Sequence, residues 1–182
     1  MVIILDNVIN NIDSVKVEIQ DILKDENINE EWCTFEKNHK FQDFCCKFID
    51  IASNFYDMSS CVGYEFWTQN NSRPPEWHYD KDEDFLKEKG VLHFPLCSMV
   101  YYPVVEDLQG GQLHLECDII TPKENRLVIF PPKTFHYVEP FTGKRVSLLI
   151  NPWSKVLINL PIKILWLHIL LLIKKLANRK KL

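Results

Sequence analysis

Glycine is scarce, with only five in 182 residues, and no Gly-X-Y period, internal repeat or low-complexity stretch interrupts the chain. That excludes collagen-like, solenoid and disordered classes, since 46% hydrophobic and 25% charged residues are the proportions of an ordinary globular domain. The six cysteines, Cys33, Cys45, Cys46, Cys61, Cys97 and Cys117, contain no CxxC pair, which removes the usual zinc spacings and any compact disulfide framework. A basic leader is missing too: MVIILDNVIN has a short apolar run broken by Asp6, without the charged n-region of a secretory signal. Reduced thiols and a cytoplasmic, reducing compartment are the expectation.

Positive charge is lacking where a polyanion would need it. The net charge of −4 conceals a split, because residues 154–182 carry seven Lys/Arg and no acid, leaving 14 basic against 25 acidic residues before them. An acidic body cannot neutralise a run of phosphates, so a nucleic-acid partner is excluded from the expectations.

What is present divides into an N-terminal helical part and a longer β-rich part. VIIL at 2–5 reads as a short buried strand, and Val15, Ile19, Ile22 and Leu23 recur at helical spacing over 13–24, with Asp13 or Ser14 available as N-cap. A second apolar stripe, Phe41, Phe44, Cys45, Phe48, Ile49, Ala52, Phe55 and Tyr56, predicts a helix that packs in the core. From residue 62 the period changes to short strands, VGYEFWTQ, EWHYD, LCSMVYYPV, QLHLEC, NRLVIFPP, FHYVEPF and RVSLLINPW, separated by Gly, Pro and Asn turns. This pattern predicts a mainly β sandwich or barrel with N-terminal helices. Residues 1–153 are expected to form one domain, and 154–182 an apolar, basic tail.

The chemistry concentrates in Trp77-His78-Tyr79-Asp80. Residues two apart in a strand share a face, so His78 and Asp80 can offer an imidazole and a carboxylate to one ion. Two histidines and one carboxylate leave three octahedral positions open, the arrangement of non-haem iron(II) oxygenases. His136 is the expected third ligand, since it opens a strand after Pro131-Pro132 and is followed by Arg145. A tight turn at Gly143 is expected to set Arg145 antiparallel to the His136 strand and facing the same cavity, where its guanidinium can fork onto a carboxylate. Ser147, two residues on, shares that face. The competing pair His114-x-Glu116 lies only twenty residues before His136 and is read as sheet packing; His39 and His93 have no candidate ligand at metal-binding spacing in the sequence and are read as structural. Beyond Asp80 the acidic run 80–84 is expected to be a solvated loop, with a lid over the site as the functional alternative. Tyr64, Tyr101 and Tyr102 are candidates for hydrogen bonds to a ligand that nothing in the sequence ranks.

His78-x-Asp80, His136 fifty-six residues later and Arg145 nine beyond that resemble the 2-oxoglutarate/iron(II) dioxygenase superfamily. Met99-Val100-Tyr101-Tyr102-Pro103 followed by Gly110-Gly111-Gln112-Leu113, and His136 to Leu148, look like its prolyl-4-hydroxylase-like branch, as does Ile4-Leu5-Asp6-Asn7-Val8; the likeness spans residues 3–153. It implies a double-stranded β-helix (jelly-roll) core, Fe(II) held by His78, Asp80 and His136, 2-oxoglutarate held by Arg145 and Ser147, and O2 as second cosubstrate. The implied reaction hydroxylates a small molecule or a protein side chain, releasing succinate and CO2. That branch often has lysine where Arg145 stands, and the second downstream arginine of nucleic-acid demethylases is absent, which argues against repair of alkylated bases. Two alternatives stand: a prolyl hydroxylase acting on a protein, and a catalytically silent metal-binding jelly-roll protein tethered to a membrane.

The tail is apolar from Val156 to Ile173 apart from Asn159, Pro161, Lys163 and His168, and ends in Lys174, Lys175, Arg179, Lys180 and Lys181. Its unbroken apolar runs are shorter than the ~20 residues of a spanning helix. The expectation is a C-terminal apolar helix that either packs on a protein surface or makes a peripheral membrane contact through 156–182. These patterns specify neither the substrate nor the oligomeric state.

Overall fold

The computed structural model describes residues 1–24, 31–35, 41–71 and 76–156. The expected C-terminal helix, His39, His168 and Arg73 lie outside those residues. Residues 1–81 with 93–156 form one unit, and residues 82–92 fall outside it.

Two antiparallel sheets organise the main unit. The larger has six strands in the order β1 (Ile3–Asp6), β7 (Arg126–Phe130), β4 (Ser98–Gly110), β9 (Phe141–Trp153), β3 (Gly63–Gln69), β2 (Glu31–Cys33); the smaller has β6 (Ile119–Ile120), β5 (Leu113–Leu115) and β8 (His136–Val138). Every pairing is antiparallel. The architecture is thus mainly β and consistent with the expected jelly roll.

The large sheet is buried on both faces, and the two-residue period of its strands sorts side chains between them. Met99 and Tyr101 of β4, Leu127 and Ile129 of β7, and Val146, Leu148 and Ile150 of β9 enter one core together with helices α1 (Ile12–Lys24) and α2 (Gln42–Ala52). Val15 and Ile19 supply the contact from α1, and Cys45, Phe48, Ile49 and Ala52 that from α2. Phe48 meets Tyr101 at a centroid distance of 4.8 Å and Phe44 edge-on at 4.9 Å, contacts worth about 1 kcal/mol each beyond burial. On the opposite face Val100 and Tyr102 of β4 and Val128 and Phe130 of β7 pack against Leu113, Leu115 and Ile120 of the small sheet.

Several expectations need correction. β1 is an edge strand with alternating burial rather than a buried one, and Ile4 is exposed. α1 begins at Ile12, so Asp13 and Ser14 lie inside its first turn and are not the N-cap. α2 ends at Ala52, which leaves Phe55 outside the helix and exposed. EWHYD is not a strand: His78 makes one isolated bridge to His136. Strands β2 and β6 were not anticipated, being too short to show a period. The acidic run is not a solvated loop but the start of helix α3 (Glu83–Lys89), whose N-cap is Asp82, accepting from the Phe85 backbone N–H at 2.8 Å.

The most consequential correction concerns Gly143. β8 and β9 form no hairpin; they belong to different sheets, and the chain passes between them at Glu139-Pro140. Backbone bonds from Glu139 N–H to Gln112 O (3.0 Å) and from Gly111 N–H to Pro140 O (3.2 Å) hold that crossing. Gly143 lies within β9, where the register against β4 shifts between Glu106 and Gln109. Its φ is +85°, and a Cβ there would sit 2.2 Å from the Asp107 carbonyl oxygen. Only glycine fits such a bulge. Gly143→Ala is therefore expected to lower the unfolding free energy by about 2 kcal/mol; urea titration checks this, and a loss below about 0.5 kcal/mol would show that the bulge relaxes at little cost.

Candidate active site

Two backbone hydrogen bonds assemble the centre: His78 N–H to His136 O at 2.9 Å and His136 N–H to His78 O at 3.0 Å. This antiparallel bridge sets the imidazole rings 4.3 Å apart. Each ring is then oriented from behind. His78 Nδ1 lies 2.9 Å from Glu76 O, and His136 Nδ1 lies 2.9 Å from Thr134 O. A carbonyl can only accept, so both Nδ1 atoms carry the proton and both Nε2 lone pairs are available. Burial depresses the proton affinity of His136, with the Asp80 carboxylate opposing that effect, and a depressed value favours the neutral, ligating ring.

Asp80 completes the cluster. Its Oδ1 is 4.0 Å from His78 Nε2 and 3.8 Å from His136 Nε2, and the three ligand atoms all lie within 4.8 Å of one another. These separations are somewhat wider than those of adjacent ligands on one ion, and a modest contraction of the three side chains would bring two nitrogens and one oxygen onto a metal. Oδ2 accepts a hydrogen bond of 2.5 Å from Ser98 Oγ at the start of β4.

These residues line a cavity of about 600 Å³ whose far wall comes from the large sheet. There Arg145, Ser147, Leu149 and Asn151 of β9 and Ser98, Val100 and Tyr102 of β4 point into the space. Arg145 is 1% exposed, yet among the described residues no carboxylate pairs with it. Its Nη1 donates to Gly111 O at 3.0 Å, and its guanidinium lies 4.4 Å from the centroid of the Phe141 ring. Arg145 Nε, Tyr102 Oη and Ser147 Oγ are buried without any hydrogen-bond partner. Burial lowers the Arg145 pKa from its ordinary value, with Tyr102 opposing, and pushes the Tyr102 phenol up to about 12, so both remain donors near neutrality. Orphaned buried donors are costly. Three of them together, one cationic, form a cradle suited to a carboxylate.

The residues expected from sequence thus converge on one cavity: His78, Asp80 and His136 as a cluster, Arg145 and Ser147 on the opposing sheet. His114 is accounted for elsewhere, its Nε2 lying 2.6 Å from Glu139 Oε1 and its ring stacked on Tyr137. Ser98 was not anticipated, because no spacing rule links it to Asp80. Tyr102 was considered but not chosen. The parity that separates it from Tyr101, which turns to the other face and donates to Asn125 Oδ1 at 3.1 Å, becomes visible only with the sheet assembled.

Residues 68–154 match the 2OG-Fe(II) oxygenase superfamily. The match covers just under half of the chain and is consistent with that superfamily. The chain's cofactor is Fe(II), its cosubstrates are 2-oxoglutarate and O2, and it is a dioxygenase. No curated protein matches it in sequence. Solved structures of similar fold include a Pseudomonas putida prolyl-4-hydroxylase (TM-score 0.60, 17% identity, covering 85% of this chain and 93% of the other). A viral collagen prolyl hydroxylase from Paramecium Bursaria Chlorella virus-1 gives TM-score 0.59 and 13% identity over 85% and 90%. A prolyl hydroxylase from Trichoplax adhaerens, in complex with a hypoxia inducible factor oxygen degradation domain peptide fragment, gives 0.56 and 12% over 84% and 83%. At these identities the likeness is one of fold.

For this oxygenase, Tyr102→Phe removes one orphaned hydroxyl. The ligand-free variant is expected to melt at the same temperature as the parent or higher, while 2-oxoglutarate binding weakens about 10-fold, the worth of one hydrogen bond to a charged acceptor. Thermal melts and calorimetric titration of the metal-loaded protein read the two effects, and unchanged binding would remove Tyr102 from the acid cradle.

Proposed function

We propose that His78 Nε2, Asp80 and His136 Nε2 hold the iron, that Arg145, Tyr102 and Ser147 hold the distal carboxylate of 2-oxoglutarate, and that the enzyme hydroxylates a side chain of a peptide or protein. The observation that carries this reading is the pairing, in one cavity, of a two-nitrogen, one-oxygen cluster with three buried donors that lack acceptors. A silent metal-binding protein would have no use for a buried guanidinium without an anion, whose desolvation costs several kcal/mol unless a ligand compensates it.

Bound Fe(II) supplies the chemistry that couples oxidative decarboxylation of 2-oxoglutarate, giving succinate and CO2, to insertion of one oxygen atom into a substrate C–H bond. The chain's own share is positional. Glu76 O and Thr134 O keep both histidines as Nε2 donors. Arg145 clamps the diacid by its far end and so aims the near end at the cluster. Val100, Leu113, Phe130, Val138 and Leu149 wall the cavity with apolar surface that limits water.

A peptidyl substrate is preferred over a small molecule because the cavity is open and because the similar folds include a hydroxylase bound to a peptide. Within that class a prolyl residue is the first candidate, supported by the fold shared with three prolyl hydroxylases.

Succinate formation from 2-oxoglutarate, dependent on added Fe(II), is the test. The parent is expected to produce it, His78→Ala to produce none, and Arg145→Ala to raise KM for 2-oxoglutarate by about 100-fold, equivalent to roughly 3 kcal/mol. Addition of one oxygen to a proline-containing peptide, read by mass spectrometry, tests the substrate class. A protein that binds neither Fe(II) nor 2-oxoglutarate would sink the enzyme reading.

A further inference from the structure

The centre orients its two imidazoles through backbone carbonyls, but Asp80 has no such device in its own segment. It lies two residues beyond the isolated bridge, outside any regular strand, and a carboxylate there can rotate about its side-chain torsions. Its only constraint among the described hydrogen bonds comes from a different element, the hydroxyl of Ser98 at 2.5 Å from Oδ2. Ser98 is 3% exposed and is the first residue of β4, paired with Phe130 of β7, so its backbone is fixed by the sheet. The same strand parity that sends Val100 and Tyr102 into the cavity sends Ser98 there, and all three line it.

We infer that Ser98 is a positioning residue that turns the Asp80 carboxylate so that one oxygen alone faces the metal. This rests on the metal reading proposed above. A hydroxyl has one proton to give, and a charge-assisted O–H···O⁻ bond of this length is among the stronger kinds. With Oδ2 so engaged, Oδ1 is the oxygen turned toward both Nε2 atoms, at 3.8 and 4.0 Å. A carboxylate binding through both oxygens would take one more coordination position. An octahedral ion with two imidazoles and a one-oxygen carboxylate keeps three positions, which are what a bidentate 2-oxo acid and O2 require together. Ser98 thereby ties the large sheet, which holds the acid cradle, to the loop that carries Asp80.

The test uses Mn(II) affinity of the full chain, measured anaerobically by calorimetry, and the visible absorption of the Co(II)-loaded protein. Ser98→Ala is expected to weaken Mn(II) binding by about 10-fold or more, the usual scale for losing a group that orients a ligand, and to change the Co(II) spectrum. Ser98→Thr, which keeps the hydroxyl, is expected to recover affinity to within about threefold of the parent. Thr and Val have nearly the same shape, so Ser98→Thr against Ser98→Val carries the comparison even if the alanine variant is unstable. Melting temperatures of the metal-free variants should not follow the metal affinities, as they would if the role were only structural. Parent and Ser98→Ala binding Mn(II) alike, or Thr and Val variants equally weak, would overturn the inference while leaving the metal site standing. A parent that binds no Mn(II) would overturn both.

Discussion

Everything at the centre depends on one pair of backbone hydrogen bonds, the reciprocal bridge between His78 and His136. The two residues are 58 positions apart, and neither belongs to an element that would bring them together by local folding. A two-bond bridge is weak by itself, since isolated strand pairs are marginal in water. Its reinforcement is on the face turned away from the cavity. Residues 77 and 79 flank one histidine, residues 135 and 137 the other, and all four are aromatic. Trp77 stacks on Phe135 at 5.3 Å and meets Tyr137 at 4.5 Å; Tyr79 meets Phe135 at 4.7 Å. Cross-strand aromatic pairs contribute about 1 kcal/mol each to such pairing. The alternation that turns imidazoles inward therefore turns a set of rings outward to hold the backbone that carries them.

The large sheet applies the same two-residue alternation to a different end. Its helix-side residues that enter the core, such as Met99, Leu127 and Leu148, are apolar or aromatic and provide stability, whereas its cavity-side residues in β4 and β9 include Ser98, Tyr102, Arg145, Ser147 and Asn151. A one-residue slip of β9 would exchange Arg145 for Val146 in the cavity and put a guanidinium into the core, which is why the register is so strongly specified. The bulges at Tyr101/Val104 and at Gly143 adjust that register locally rather than shifting the whole strand.

The site was more legible than the fold around it. His78, Asp80, His136 and Arg145 could be read because chemistry demands particular residue types, and few other residues of those types compete: His114 was the main rival, and Glu139 takes it. The strand set from 62 to 153 was readable from period-two runs, and α2 from its aromatic stripe. What failed were inferences that needed long-range geometry. Gly143 after a short strand reads as a hairpin turn, yet the chain changes sheets at Glu139-Pro140, and the glycine serves a bulge against Asp107 instead. The outcome was right for Arg145, which faces the cavity, although the route was wrong. Ser98 was invisible because a hydroxyl partner of a carboxylate obeys no sequence spacing, and Tyr102 could not be told from Tyr101 until the neighbouring strands assigned each a face.

The unpaired donors place a cost on the ligand-free state that is itself informative. Arg145 Nε, Tyr102 Oη and Ser147 Oγ could each have been an apolar side chain of similar volume, and the empty protein would then be more stable. Retaining all three suits an incoming acceptor, and a guanidinium with two hydroxyls discriminates a carboxylate from a neutral isostere far better than apolar packing could. The same arrangement excludes a carboxylate from the protein itself: no Asp or Glu among the described residues pairs with Arg145, although acids outnumber bases in this chain. An internal partner would stabilise the fold but, on the function proposed above, compete with the diacid for the same fork. On that reading, leaving the guanidinium buried and without an acid converts folding free energy into affinity for an incoming anion, which the shared cavity would bring beside the His78, Asp80 and His136 cluster.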